Sequence, residues 1–143
     1  MRKIMIVDDN YLSAEGIEKN IDWEVLNAEI VHICYNGTSA IDAMKKEPAD
    51  LIISDIEMPD LDGISMSRQA LEINPMVKII LISAYDKFEY ARRALLLGAL
   101  DYIEKPLDYA YLIQKVKNAF ALMEREQKNL QLLKQSRPLL IEK

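Results

Sequence analysis

The chain has one cysteine, one histidine and four glycines among its 143 residues. No apolar run in it approaches the roughly 20 residues of a membrane span. Cys34 has no partner for an internal disulfide, so a reducing compartment, and with it a cytoplasmic location, is expected. His32 has no second His or Cys at ligand spacing, which argues against a zinc site and leaves it a structural residue. An excess of basic charge is missing too. The formal net charge is −5 and the pI about 5.0, whereas nucleic-acid binding draws mainly on Lys and Arg that neutralise phosphates. This stretch by itself is therefore not expected to bind nucleic acid. The start, Met1-Arg2-Lys3, runs directly into a strand-like segment and is too short for a signal peptide. Low-complexity tracts and internal repeats are absent. What remains is half hydrophobic and 29% charged, which suits one globular domain with a single core.

Short apolar runs alternate with amphipathic stretches. Ile4-Met5-Ile6-Val7 ends at Asp8-Asp9, and Glu29 to Cys34 forms a second, poorer run. Leu51-Ile52-Ile53 ends at Ser54-Asp55, Val77 to Ile82 ends at Ser83, and Leu100 to Ile103 ends at Glu104-Lys105-Pro106. Runs of this length and composition suit strands covered on both faces. Helix patterns lie between them: Tyr11 to Asn20, Asn36-Gly37-Thr38 to Lys46, Gly63 to Ile73, and Asp86 to Leu97 with Gly98 at the C-cap position. On the fourth helix, Phe88, Ala91 and Leu95 share one stripe. A fifth starts near Asp108, a suitable N-cap. Five consecutive βα units predict an α/β fold, a doubly wound parallel sheet with right-handed crossovers.

Asp8, Asp9, Asp55, Ser83 and Lys105 each lie at or just after the C-terminal end of a predicted strand. In open α/β sheets that edge is where ligands bind. Three carboxylates converging there repel one another, and a divalent cation relieves the repulsion; Mg²⁺ takes one or two carboxylates together with phosphate oxygens. A carboxylate can act as a nucleophile and form an acyl phosphate. Phosphoryl transfer needs positioning and charge neutralisation above all. Lys105 would supply a compact ammonium and Ser83 a hydroxyl donor.

From about residue 2 to residue 121 the chain resembles the receiver domain of two-component response regulators. The motifs are Val7-Asp8-Asp9, the run from Ser54 to Gly63, Ser83-Ala84, and Tyr102-Ile103-Glu104-Lys105-Pro106. The resemblance implies a flavodoxin-like five-stranded sheet of order 2-1-3-4-5. It implies Asp55 as phosphoacceptor and Mg²⁺ held by Asp9 directly, Asp8 largely through water, Asp55, and the backbone carbonyl of Glu57. Ser83 and Lys105 stand where the phosphoryl group is bound, the Lys105–Pro106 bond is expected cis, and Tyr102 matches the aromatic whose rotamer follows the switch. Ser83 replaces the commoner Thr. The implied partner is a sensor histidine kinase, and the implied role is a signalling switch rather than an enzyme in its own right. A homodimer through helix 4, strand 5 and helix 5 is one expected association.

Competing readings do less well. An aspartyl phosphatase typically carries a second Asp two residues after its nucleophile, where this chain has Glu57, and its motif order differs. A flavin module needs a phosphate-cradling loop after strand one, where Asp8-Asp9-Asn10 would repel an anion. Taken singly, Lys105 reads as a solvated lysine and Ser83 as a helix cap, while Trp23 and Cys34 read as packing. The Glu57 side chain reads either as solvated or as approaching the metal or the attacking water, and Tyr85 flanks the same crevice.

The segment from Ser83 to Ala94 is similar to receivers joined to AraC-type helix-turn-helix output domains. That suggests a transcription regulator, with a stand-alone receiver acting through protein contacts as the alternative. The expected organisation is a receiver at 1–121 and a linker helix or tail at 122–143 leading to an output domain not in this chain. Helical pattern continues to about Ser136, and Pro138 is expected to break it. Val116, Ala119, Met123, Leu130 and Leu133 follow a seven-residue repeat that Glu126 interrupts. About three heptads is short for a coiled coil. The tail therefore reads either as a helix pairing two chains or as an extended or frayed end.

Overall fold

The computed structural model describes residues 1–84, 88–99 and 101–141. Strands and helices alternate: β1 (Arg2–Val7), α1 (Tyr11–Asn20), β2 (Ala28–Cys34), α2 (Gly37–Lys46), β3 (Leu51–Asp55), α3 (Gly63–Ile73), β4 (Lys78–Ser83), α4 (Phe88–Leu97), β5 (Asp101–Glu104) and α5 (Tyr109–Ile141). The strands form one parallel sheet of order β2-β1-β3-β4-β5, as expected of a flavodoxin-like receiver.

The period of two along each strand divides the interior. Met5, Val7, Ile52, Ile79 and Leu81 face a core completed by α2, α3 and α4 through Met44, Ile64, Met66 and Ala94. Ile4, Ile6, Ile53, Ile80 and Ile82 face the opposite core, closed by Ala14 and Ile17 of α1 and by Leu112, Val116 and Ala119 of α5. Coverage on both faces is why the central strands are apolar at nearly every position. Each such side chain, fully buried, contributes roughly 1.5–3 kcal/mol.

Short polar side chains fix the helix starts. Asn10 accepts from the Leu12 and Ser13 amides, Asn36 from Ser39, Asp62 from Ser65, and Asp108 from Ala110. α4 ends at Gly98, φ +102°, where the Gly98 amide bonds Leu95 O and the Ala99 amide bonds Ala94 O. Trp23 packs in the second core and donates to Ile17 O, and the His32 ring meets Glu47 O at 2.8 Å, both structural roles. Cys34 is buried, and that burial pushes its thiol pKa up.

Two expectations fail. Leu95 does not face the core; it is 63% exposed, and Ala94 is fully buried instead. Three consecutive leucines leave the phase of the stripe undetermined by periodicity, and the small Ala94 lets the helix approach the sheet. The side chains of Phe88 and Ala91 lie outside the described residues, as does Tyr85. Pro138 does not end the last helix, which runs on to Ile141. A proline deletes its own bond to the carbonyl four residues earlier, yet three further residues keep helical conformation.

The helix also stays on the domain past the expected boundary at Ala121. Met123 is buried in the core, and the carboxylate of Glu126 meets the Lys78 ammonium at 2.7 Å. Glu126, which interrupts the apolar repeat, is thereby used against β4. Beyond it, Leu130 and Leu133 are largely exposed. No helix among the described residues is long and apolar enough to cross a membrane.

Candidate functional site

The strand order brings the polar strand ends together. β1 and β3 are neighbours, so Asp8 and Asp9, after β1, stand beside Asp55, the last residue of β3. β4 follows with Ser83, and Lys105 comes just after β5. The crevice lies where the winding reverses, between β1 and β3.

Local bonds hold each residue there. The Asp8 amide donates to Cys34 O, and Asp8 Oδ1 accepts from the Asn10 amide at 2.9 Å. Asn10 caps α1, so the Asp8-Asp9 turn is pinned between a strand and a helix. The Ile56 amide donates to Ile82 O and the Lys105 amide to Ser83 O, which ties the loops after β3 and β5 to β4. Gly63 sits so close to the Asp55 carbonyl that a Cβ there would collide with it. A side chain at 63 would push α3 off the strand end. The Lys105–Pro106 bond is cis.

Carboxylate oxygens of Asp8, Asp9 and Asp55 lie within 4.8 Å of one another, with Asp8 and Asp55 buried and Asp9 exposed. The Lys105 ammonium is 3.6 Å from Asp55 and 4.0 Å from Asp8. Burial first, and then the charges of Asp8 and Asp9, push Asp55 up to about 6, while Lys105 pulls it down. Burial likewise raises Asp8. A single ammonium thus leaves three crowded carboxylates under-compensated among the described residues. An all-oxygen donor set with surplus negative charge fits a hard divalent cation.

Ser83 is fully buried and donates to Glu57 Oε1 at 3.5 Å. The Glu57 side chain therefore turns to the neighbouring strand end. Tyr102 is half-buried and packs on the α2–α4 side of the sheet. It also lines a shallow cavity of about 330 Å³ with Pro106 and Tyr111. Three participants escaped sequence reasoning: Asn10 as the pin of the acidic turn, the Glu57–Ser83 contact, and Asp60, whose carboxylate reaches Thr38 on α2. Asn10 precedes a helix pattern as a capping residue should and was legible; the other two are long-range and left no local signal.

The fold and this convergence define a receiver-type switch domain. The chain belongs to the family of response regulator receiver domains, whose family model matches residues 4–117. It is similar to the receiver domain of AraT, a response regulator from Geobacillus stearothermophilus. That match has a TM-score of 0.83 and 34% identity, covering 88% of this chain and 98% of that one. It is 29% identical over 126 residues to the uncharacterized transcriptional regulatory protein YesN of Bacillus subtilis, covering 88% of this chain and 34% of that protein. It is 33% identical over 119 residues to the chemotaxis protein CheY of Treponema pallidum, covering 80% of this chain and 79% of that one. The chain spans only 34–44% of the length of several matched transcriptional regulators.

Proposed function

We propose that this chain is the phosphoacceptor receiver of a cytoplasmic two-component regulator, phosphorylated on Asp55 by a sensor histidine kinase. The observation that carries the proposal is Asp55 itself, buried, raised to about 6, and flanked by Asp8, Asp9 and Lys105. An Asp55 carboxylate oxygen attacks the phosphorus of a phosphohistidine. The new P–O bond forms as the P–N bond breaks, and the imidazole leaves with the electron pair and takes a proton. Lys105 pairs with a phosphoryl oxygen, and Ser83 gives up its contact with Glu57 to donate to another. Mg²⁺, held by Asp8, Asp9, Asp55 and the Glu57 carbonyl, would neutralise charge on the transferring group. Differential contacts of the phosphoryl group with Ser83 and Lys105 then shift Tyr102 and the face made by α4, β5 and α5.

The organisation that goes with this is a receiver at 1–121 and a linker at 122–143, its first turns still packed on the receiver through Met123 and Glu126, leading to a DNA-binding output domain in the whole protein. The short share of the matched transcriptional regulators supports it. A homodimer would form through the α4–β5–α5 face. Pairing through the tail has less to work with, because Val116, Ala119 and Met123 are already buried in the chain's own core. A stand-alone receiver is the second reading, favoured by the match that covers 79% of the Treponema protein. The length of the full gene product separates the two.

The test is intact mass after incubation with acetyl phosphate and Mg²⁺. The wild type should gain one phosphoryl group and Asp55→Asn none. Equal phosphorylation of both would overturn the assignment.

A further inference from the structure

We infer that Asp60 is a positioning residue for the metal side of the crevice, acting by clamping the β3–α3 loop to the start of α2. The inference rests on the proposed Mg²⁺ and phosphoryl site, whose loop ligand is the Glu57 carbonyl.

Asp60 lies five residues after Asp55. Its Oδ1 accepts from the Gly37 amide at 3.3 Å, and its Oδ2 accepts from the Thr38 amide at 3.3 Å and from Thr38 Oγ1 at 2.6 Å. Three donors on one exposed carboxylate are more than an ordinary surface aspartate gathers. The Thr38 hydroxyl foremost, and then the surrounding amides, lower the Asp60 pKa to about 2, so the clamp stays charged across the working range of the domain. The fit beside it is equally tight. A Cβ on Gly37 would collide with the carbonyl of Leu61, so α2 and the loop meet backbone to backbone.

The rest of the loop explains why this contact matters. Ile56 is fixed to Ile82 O, Gly63 donates to Ile56 O, and Asp62 caps α3 through the Ser65 amide. Both ends of the loop are thus held. Among the described residues, the hydrogen bonds joining residues 57–61 to another secondary-structure element are those of Asp60 to α2 and the long contact between Glu57 and Ser83. The second of these is the bond that phosphorylation is proposed to break. Asp60 is then the polar restraint that, beside the packing of Met58 and Leu61 on the core, keeps the Glu57 carbonyl in place while Ser83 moves. Residues that orient ligands without touching the metal typically contribute about 10–100-fold to its affinity.

The test compares the whole 143-residue chain with Asp60→Ala, Asp60→Asn, Thr38→Val and the Asp60→Ala/Thr38→Val pair. Mg²⁺ affinity is read by calorimetry, phosphorylation from acetyl phosphate by mass, and folding by thermal melting. Asp60→Ala should weaken Mg²⁺ about tenfold, with most of the phosphorylation rate recovered at saturating Mg²⁺. Asp60→Asn, which keeps an acceptor, should restore part of the affinity. Thr38→Val should lose less than Asp60→Ala, and the double variant should be no worse than Asp60→Ala alone, the mark of one shared interaction. A lower melting temperature with wild-type Mg²⁺ affinity would reduce the clamp to a structural contact and overturn the inference. If Asp60→Ala does not fold, wild-type affinity in both Asp60→Asn and Thr38→Val would overturn it equally. A wild-type chain that binds no Mg²⁺ and takes no phosphoryl group would instead bring down the site itself, an outcome distinct from both.

Discussion

The two ends of the same sheet treat charge in opposite ways. At the N-terminal ends of the strands the charges are matched. Lys3 pairs with Glu47 at 3.2 Å and its amide with Asp50, Lys78 pairs with Glu126 at 2.7 Å, and the Arg2 guanidinium lies over the Phe120 ring. At the C-terminal ends, Asp8, Asp9 and Asp55 crowd within 4.8 Å and face one ammonium among the described residues. The first arrangement serves stability. The second raises the free energy of the folded chain until something positive arrives, which is what the proposed cation and phosphoryl site would call for and what an end of the sheet that only holds the fold avoids.

The contrast can be broken first at Asp9. Asp9→Ala removes a proposed direct ligand, and its effect on Mg²⁺ affinity should exceed the about tenfold expected of an outer residue. Calorimetry giving equal affinity in variant and wild type would remove Asp9 from the site.

Next comes the stability of the metal-free chain. Asp55 has a folded-state pKa near 6, above the ordinary carboxylate value. The folded state therefore holds a proton more tightly than the unfolded state, and stability must fall as pH rises through roughly 4 to 6. Asp55→Asn should stabilise the metal-free protein at pH 7.5 by on the order of 2–3 kcal/mol. The advantage should shrink as pH falls toward 5 or as Mg²⁺ saturates the wild type. Urea midpoints at the two pH values measure it, and a constant or reversed difference would mean the crevice is not under charge strain.

The opposite end of the sheet should respond in the ordinary way. Ending the chain at Ala121 removes Met123 and Glu126 and should cost about 2 kcal/mol. Ending it at Asn129 should cost a few tenths, because Leu130 and Leu133 are already exposed. Equal losses would show that the outer turns of α5 pack on something. Among the substitutions, the smallest effect belongs to Lys78→Met, about 1 kcal/mol, with Mg²⁺ affinity unchanged, since the half-buried pair with Glu126 lies at the far end of the strand from the crevice. A change in Mg²⁺ binding there would couple the two ends.

The sequence by itself determined the alternation of five strands and five helices and the placing of Asp8, Asp9, Asp55, Ser83 and Lys105 at strand ends. Strand and helix periods, capping residues and the position of a polar residue after an apolar run are local properties, readable within a few neighbours. Strand order, also expected from the family resemblance, then makes those separate ends one crevice. The tertiary structure decided what depends on contacts between distant segments. It turned Ala94 rather than Leu95 to the core, assigned the repeat-breaking Glu126 to Lys78, and carried α5 through Pro138. It brought Ser83 to Glu57 and Asp60 to Thr38 across 26 and 22 residues of chain. A carboxylate in a loop looks the same in sequence whether it meets water or three donors on another helix, because only the packed chain fixes which groups lie opposite it.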